Sequence, residues 1–574
     1  MDKKTTLNDN TLIKLWDDCI KKLPEKDAIV FLKAGEQPLR WSYLELFGEA
    51  EKFAVELKKK GVKQGDVCAI VIRHNPYFYP IYLGIILLRA VPAVLAYPNP
   101  RLHQEKFLNG IRGMTKKSGF DWILTEKEME GILHQLIYMP NSKVKGMLFP
   151  LEDMGKVSLS GKDVDEIRSG YFEIEPGDNL LLQHSSGTTG LQKPVLLTHE
   201  AVHKHLQNYS EAIHLTHKDK VISWLPLYHD MGLIAAFHLP LAYGVTSVQI
   251  DPFEWAAAPV ILLQAITKEK ATLAWMPNFS FSFMASKIRE EDLSSFNLES
   301  IRMIINCSEP VRDDSIEKFK IRYAEIGLKP NAVSTCYAMA ETTFAVTQTP
   351  PDSEPVKLHA DYLELKGHKI KVINDKDGDI KTLVSSGEII NGCKIRIVDE
   401  KGFDLGEGNI GEIAVSSESL FSGYRHYPEK TKSVLKNGWY HTGDNGFMYK
   451  DNLYVLGRID DLIISGGNNI YPEDVEDSIN DLVGVIPGRV VVFGEYDEAF
   501  GSEYVCVIAE TEFTEIKDKR HLKVQIIKTG MEINVNIRRV FLVPHKWLIK
   551  SSSGKLSRKE NKIRIFEALN EMEI

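Results

Sequence analysis

Leu180-Leu181-Leu182-Gln183-His184-Ser185-Ser186-Gly187-Thr188-Thr189-Gly190-Leu191-Gln192-Lys193-Pro194-Val195-Leu196-Leu197 is the stretch on which the reading of this chain turns. Two apolar runs flank a segment, Ser185 to Lys193, in which six of nine residues are Ser, Thr or Gly. The pattern predicts a strand, a small loop and a second strand. Glycine lets backbone come close to a ligand. Hydroxyls and open N–H groups donate hydrogen bonds, and Lys193 adds a point charge. Such a loop suits the tail phosphates of a nucleotide; by itself it fits a surface linker equally well. No Ser or Thr follows Lys193, so it is not the P-loop form that also holds magnesium.

The 574 residues carry a net charge of −9, with 43% apolar and 26% charged residues, an ordinary globular composition. Nucleic-acid binding through a broad basic surface is not expected. The apolar run from Tyr77 to Tyr97 is broken by Pro80, Arg89 and Pro92, so it reads as a buried helix and strand rather than a membrane span. The first residues show no secretory signal. Cys19, Cys68, Cys307, Cys336, Cys393 and Cys506 have no CxxC spacing, which points to reduced thiols and a cytoplasmic location.

Up to about residue 340, strand and helix patterns alternate, predicting a largely parallel sheet. Strands are expected at Asp66–Ile72, Ala93–Ala96, Thr246–Ile250 and Met303–Ile305, with a helix at Ile81–Leu88. Pro351 to Leu383 reads as an insertion or appended hairpin with a strand at Lys369–Ile373. A β-rich zone opens at Gly411, and a boundary falls near Gly457–Asp461. The expected fold class is α/β. A large multi-subdomain N-terminal domain (1–457) has mostly parallel sheets and a β-rich subdomain; a small mobile α+β C-terminal domain (458–574) follows.

Further segments have the look of active-site loops: Trp224–Gly232 with His229 and Asp230, Cys336–Glu341 with Tyr337, Trp439–Asp444, and Ser551–Arg558 with Lys555. Singly, each fits an ordinary turn, core or surface role. Together and in this order they resemble the adenylate-forming superfamily of acyl-CoA synthetases, nonribosomal adenylation domains and luciferases. The likeness runs from about residue 25 to the last helix. The N-terminal part is most similar to fatty-acyl-AMP ligases, through Trp224–Ile234, Pro277-Asn278-Phe279, Glu309-Pro310-Val311-Arg312, Val384–Gly387 and the 351–383 segment. Asp460–Pro472 is closer to the generic CoA-ligase pattern. Pro194 and Ala338 stand where the superfamily usually carries Gly.

The resemblance implies a division of labour. Ser185, Ser186, Gly187, Thr188, Thr189, Gly190 and Lys193 would hold the β- and γ-phosphates of ATP. Glu341 would hold Mg²⁺. Tyr337, with Ala338 and Met339, would stack on adenine, and Asn306, Cys307, Ser308 and Glu309 would line the base. Asp444 would take the ribose hydroxyls with Arg458 nearby, and His229 would sit by the acyl carboxylate. Lys555 would bridge carboxylate and α-phosphate, Asp460 would be the hinge, and Gly466 and Gly467 would line the thiol path.

The implied reaction activates a fatty acid to an acyl-adenylate, then transfers it to the phosphopantetheine thiol of an acyl carrier protein. CoA is the alternative acceptor. Amino-acid adenylation, with Asp230 facing an ammonium, and a non-catalytic acyl- or nucleotide-binding protein are the remaining readings. Trp275, Met276, Phe279 and Phe281 are equally pocket or core. A monomer or weak dimer is expected, and an acidic carrier would dock on a local basic patch among Lys517–Lys528 or Lys546–Lys562.

Overall fold

The computed structural model describes residues 6–98, 104–153, 160–185, 192–361, 369–373, 380–465, 468–497, 502–550 and 555–572. Its centre is one continuous sheet of 14 strands. One side of it holds six parallel strands: β1 (Asp27–Leu32), β2 (Lys220–Ser223), β3 (Thr246–Ile250), β4 (Leu273–Pro277), β5 (Met303–Cys307) and β6 (Val333–Ala338). β4 and β5 are buried at every position, as a sheet covered on both faces requires. Trp275, Met276 and Phe281 belong to that core, whereas Phe279 stays partly open.

The other side is antiparallel and includes β7 (Trp439–Tyr449) and β8 (Asn452–Arg458), which pair Asp444 with Arg458. Asp444 is therefore a strand residue following Gly443, whose positive φ of 72° aims the next side chain. A separate four-stranded sheet holds Val67–Val71, Val91–Val94, Trp122–Thr125 and Gly146–Leu148 in parallel. The helix Phe78–Leu87 is buried throughout, and among the described residues no helix is long and apolar enough to cross a membrane.

The 351–383 segment forms a hairpin, Lys357–Asp361 with Ile380–Val384. The strand expected at Lys369–Ile373 does not form; Lys369 and Val372 make only isolated bridges. Val372 bridges Ala360 of the Lys357–Asp361 strand, where the Asp361 N–H donates to the Lys371 carbonyl at 3.1 Å and the Ile373 N–H to the His359 carbonyl at 2.9 Å, but the pairing is one bridge long and makes no ladder.

After a tight turn at Ile459–Asp461 come α1 (Pro472–Asn480), β9 (Val485–Asp497), β10 (Ser502–Thr511), α2 (Ile516–Glu532), β11 (Ile537–Pro544) and α3 (Arg558–Met572). β9, β10 and β11 form a sheet with a core on each face. Val490, Val492, Val505 and Val507 meet Leu522 and Ile526 of α2; Val491, Phe493, Cys506 and Ile508 meet Ile565 of α3. Alternate residues thus serve opposite faces, the strand period of two. All six cysteines are free thiols.

Candidate active site

The parallel strands β2, β4, β5 and β6 bring their C-terminal ends to one edge of the sheet, the edge where open α/β sheets place their ligands. The strands Asn179–His184 and Pro194–Thr198 form the predicted hairpin beside it. The Ser185 N–H donates to the Lys193 carbonyl at 3.0 Å and closes the loop base. Pro194 is the first residue of its strand, where a missing N–H costs nothing. Ser186, Gly187, Thr188, Thr189 and Gly190 lie outside the described residues, as do Gly466 and Gly467.

Lys193 projects its ammonium over the Tyr424 ring, 5.4 Å from the centroid. Burial lowers its pKa, and the nearby Glu341 carboxylate opposes that effect. Glu341 is buried, in a short turn between β6 and the next strand, and one carboxylate oxygen accepts from the Tyr424 hydroxyl at 2.6 Å. A cation and a carboxylate therefore share one corner. Among the described residues, no group of three or more His, Cys, Asp or Glu could hold a metal ion. One hard carboxylate oxygen still fits Mg²⁺, which takes one or two protein carboxylates and completes its shell from phosphates and water.

On the far side of β6, the Tyr337 hydroxyl donates to one Asp444 oxygen, and Arg458 Nε lies 2.9 Å from the other. Arg458 also donates to the Thr442 carbonyl at 3.1 Å. The Asp444 charge, with burial working against it, raises the Arg458 pKa further, so this cation never titrates. Burial and the Asp444 charge keep the Tyr337 phenol protonated. A carboxylate so placed accepts from a diol while Tyr337 offers a flat face. Ala338 continues β6, and the Met339 N–H donates to the Phe344 carbonyl at 2.9 Å.

At the end of β5, Asn306 is fully buried and its amide donates to Asn278 Oδ1 at 2.9 Å. Its own Oδ1 is buried and finds no donor among the described residues. An unpaired buried acceptor is costly, and an exocyclic amino group of a base would satisfy it. Asn278 Oδ1 also accepts from the Arg312 backbone N–H at 3.1 Å. Cys307 turns its thiol into the core, 3.7 Å from that of Cys336. Glu309 accepts from the Phe279 N–H at 2.9 Å, so its carboxylate caps a helix. Ser308 adopts φ 70°, a left-handed conformation that turns its carbonyl outward.

That carbonyl accepts from Lys555 Nζ, which arrives from the C-terminal part of the chain. Met231 Sδ lies 4.0 Å from Ser308 Oγ and brings the Trp224–Gly232 loop to the same point. His229 Nδ1 stands 2.7 Å from Asp230 Oδ1, off the line of the N–H, so the contact is electrostatic. Burial pushes the Asp230 carboxyl up, but the His229 charge, the Met231 N–H and Lys555 outweigh it and hold it below its usual value.

Features that motif reading missed hold this arrangement. Asp474 of α1 is buried between Arg312 Nη1 at 3.2 Å and Lys381 Nζ at 2.6 Å. Arg312 Nε also lies 2.7 Å from Asp477. Burial raises Asp474, yet Lys381 and Arg312 reverse the shift; burial lifts Asp477 to about 6. Lys550 is half-buried, and the loss of solvent lowers its pKa to about 8, with Arg489 adding to the effect and Glu309 opposing it. Asp460 is exposed in the turn after β8. Tyr424 could have been suspected from its place after Gly423; the Arg312–Asp474–Lys381 cluster spans three distant segments and leaves no local pattern.

A family model described as AMP-binding enzyme matches residues 16–425. The long-chain-fatty-acid–AMP ligase FadD26 of Mycobacterium marinum is 26% identical over 588 residues, covering 96% of each chain. A 4-hydroxyphenylalkanoate adenylyltransferase of the same species is 27% identical over 527 residues, covering 88% of this chain and 82% of that one. Among solved structures, a fatty acyl-adenylate ligase from L. pneumophila in complex with acyl adenylate and pyrophosphate superposes with a TM-score of 0.71 at 25% identity, covering 98% of each chain. A structure from work on fatty acyl-adenylate ligases of E. coli and L. pneumophila reaches 0.87 at 24% identity, with 99% of this chain and 100% of that one covered.

Proposed function

The chain belongs to the AMP-binding enzyme family, and from that premise we propose that it is a ligase that joins a fatty acid to AMP and then delivers the acyl group to the phosphopantetheine thiol of an acyl carrier protein. The observation that carries this reading is Lys555 Nζ on the Ser308 carbonyl, beside the His229 loop and the buried Asn306. The names of the full-length relatives support the fatty-acid substrate.

In the first step a carboxylate oxygen attacks the α-phosphorus of ATP, the bond to the bridging oxygen breaks, and pyrophosphate leaves with its electrons. Two anions are brought together, so alignment and charge stabilisation dominate. Lys193 and the Ser185–Gly190 loop take the tail phosphates. When bound, Mg²⁺ at Glu341 supplies positive charge to phosphate oxygens. Asn306 accepts from the adenine amino group, Tyr337 stacks on the ring, and Asp444 takes the ribose diol. His229 positions the acyl carboxylate while Lys555 faces the charge that builds on both reacting oxygens. In the second step a thiolate attacks the acyl carbonyl carbon and AMP leaves. Residues 458–574 then act as a mobile lobe turning at Asp460, which withdraws Lys555 and brings Gly466 and Gly467 to the thiol path.

CoA is the second reading of the acceptor, favoured by the CoA-ligase-like stretch Asp460–Pro472. Pyrophosphate release across a fatty-acid length series, followed by thioester formation with CoA or a holo-carrier protein, tests both. Fatty acids should release pyrophosphate, and the carrier should be the better acceptor. Activity with amino acids alone, or with no acid, overturns the reading.

Asp444→Ala should weaken ATP binding by about 10–100-fold, since it removes the diol acceptor and strands Arg458 and the Tyr337 hydroxyl. Titration of nucleotide by calorimetry reads this directly. Unchanged ATP affinity would remove Asp444 from the site.

A further inference from the structure

α2 is apolar on two sides. Inward, Leu522 and Ile526 are buried in the core against β9 and β10. Outward, Ile516, Val524 and Met531 are 69%, 64% and 63% exposed. Lys517, Arg520, Lys523 and Lys528 are exposed among them. At about 100° per residue these seven positions fall within one arc of about 140°. Lys528 lies 3.9 Å from Glu532, and among the described residues no carboxylate pairs with Lys517, Arg520 or Lys523. Asp518 lies outside the arc. Single exposed aliphatic residues are ordinary, but three on one helix face, set in a basic ring, mark a face that is meant to be covered.

We propose that this face of α2 docks on an anionic lipid surface. The aliphatic side chains enter the headgroup boundary, and the long Lys and Arg stems lie along it with their charges at the phosphates. A protein partner is the poorer occupant. Stable protein interfaces are enriched in aromatic residues and depleted in Lys, and this arc has no aromatic among its apolar members and three Lys. The chain carries a net charge of −9, so attraction to an anionic surface must come from a local patch of this kind. Position agrees as well. α2 and α3 cover opposite faces of the β9–β10–β11 sheet, and Lys555 directly precedes α3. Docking through α2 leaves the Lys555 side unobstructed.

Flotation of the full chain with vesicles tests this without any substrate, so its outcome is separate from the fate of the proposed reaction. Vesicles of phosphatidylcholine with about one-third phosphatidylglycerol should carry the chain, and pure phosphatidylcholine should not. The combined Lys517→Glu, Arg520→Glu and Lys523→Glu variant should lose roughly 100-fold or more in partitioning. Ile516→Ser with Val524→Ser should lose a smaller factor. Both variants should release pyrophosphate from a short soluble acid as the parent does, showing an intact fold. Equal binding to neutral and anionic vesicles, no binding to either, or undiminished binding by the charge variant overturns the proposal. So does loss of an acidic carrier-protein contact, rather than vesicle binding, in the same variants.

Discussion

Lys555→Ala is expected to lower acyl-adenylate formation by about 10²–10³-fold, the loss seen when one preorganised transition-state donor is removed. The ammonium is half-buried, and the one hydrogen bond recorded for it goes to the Ser308 carbonyl. Among the described residues no carboxylate forms an ion pair with it. Its direct partner is therefore a neutral dipole, with the Asp230 carboxylate acting only at longer range, so the charge would be available to the oxyanions of the proposed reaction. Ground-state nucleotide binding should change little, because the two reacting oxygens come under this charge together only as the bond forms. Transfer from synthetic acyl-adenylate to the thiol should proceed at the parent rate. Pyrophosphate release measured in a single turnover, beside thioester formation from supplied adenylate, separates the steps. Unchanged pyrophosphate release would remove Lys555 from the reaction.

Asp474→Ala should produce the second largest effect, although Asp474 touches no substrate. It is the anion between Arg312 and Lys381, and its side chain is only 9% exposed. Deleting one partner of a buried ionic cluster costs about 3–5 kcal/mol, because the others remain desolvated. Arg312 keeps Asp477, which softens the loss toward the lower figure. The cost falls on the docked arrangement of the C-terminal part, so its equilibrium constant should fall by about 10²-fold, one decade for each 1.4 kcal/mol. Adenylation should drop by up to that factor, transfer from supplied adenylate should not, and proteolysis should quicken in the Ile459–Asp461 turn. Asp477→Ala, with Asp477 nearly half exposed, is the mild control. Adenylation within twofold of the parent would mean that the cluster does not hold the lobe.

Much of the candidate site can be drawn up from the sequence because its residues come in local runs. The Ser/Gly loop, the His229 turn and the Lys555 tail each sit in a stretch whose composition announces a loop, and buried strands such as Met303–Cys307 read as apolar runs. Periodicity could not place Lys369–Ile373, since a strand needs a neighbour that sequence does not supply. The Gly443 beside Asp444 predicts a loop at Trp439–Asp444, yet that glycine bends a long strand. The resemblance groups Glu309 with the base-lining residues, and its carboxylate accepts from the Phe279 N–H. Arg312, Lys381 and Asp474 lie too far apart in sequence for any window to join them, and only the packed chain shows their common charge balance.

Asn278 carries a consequence larger than its size. Its single amide oxygen holds both the Asn306 side chain, at the end of β5, and the Arg312 backbone, whose guanidinium grips Asp474. Whatever steadies one tenant of that oxygen steadies the other, and such coupling runs equally in both directions. On the proposed reading, a purine seated on Asn306 would draw the distant helix home, and the helix at home would raise the grip on the purine by the same factor.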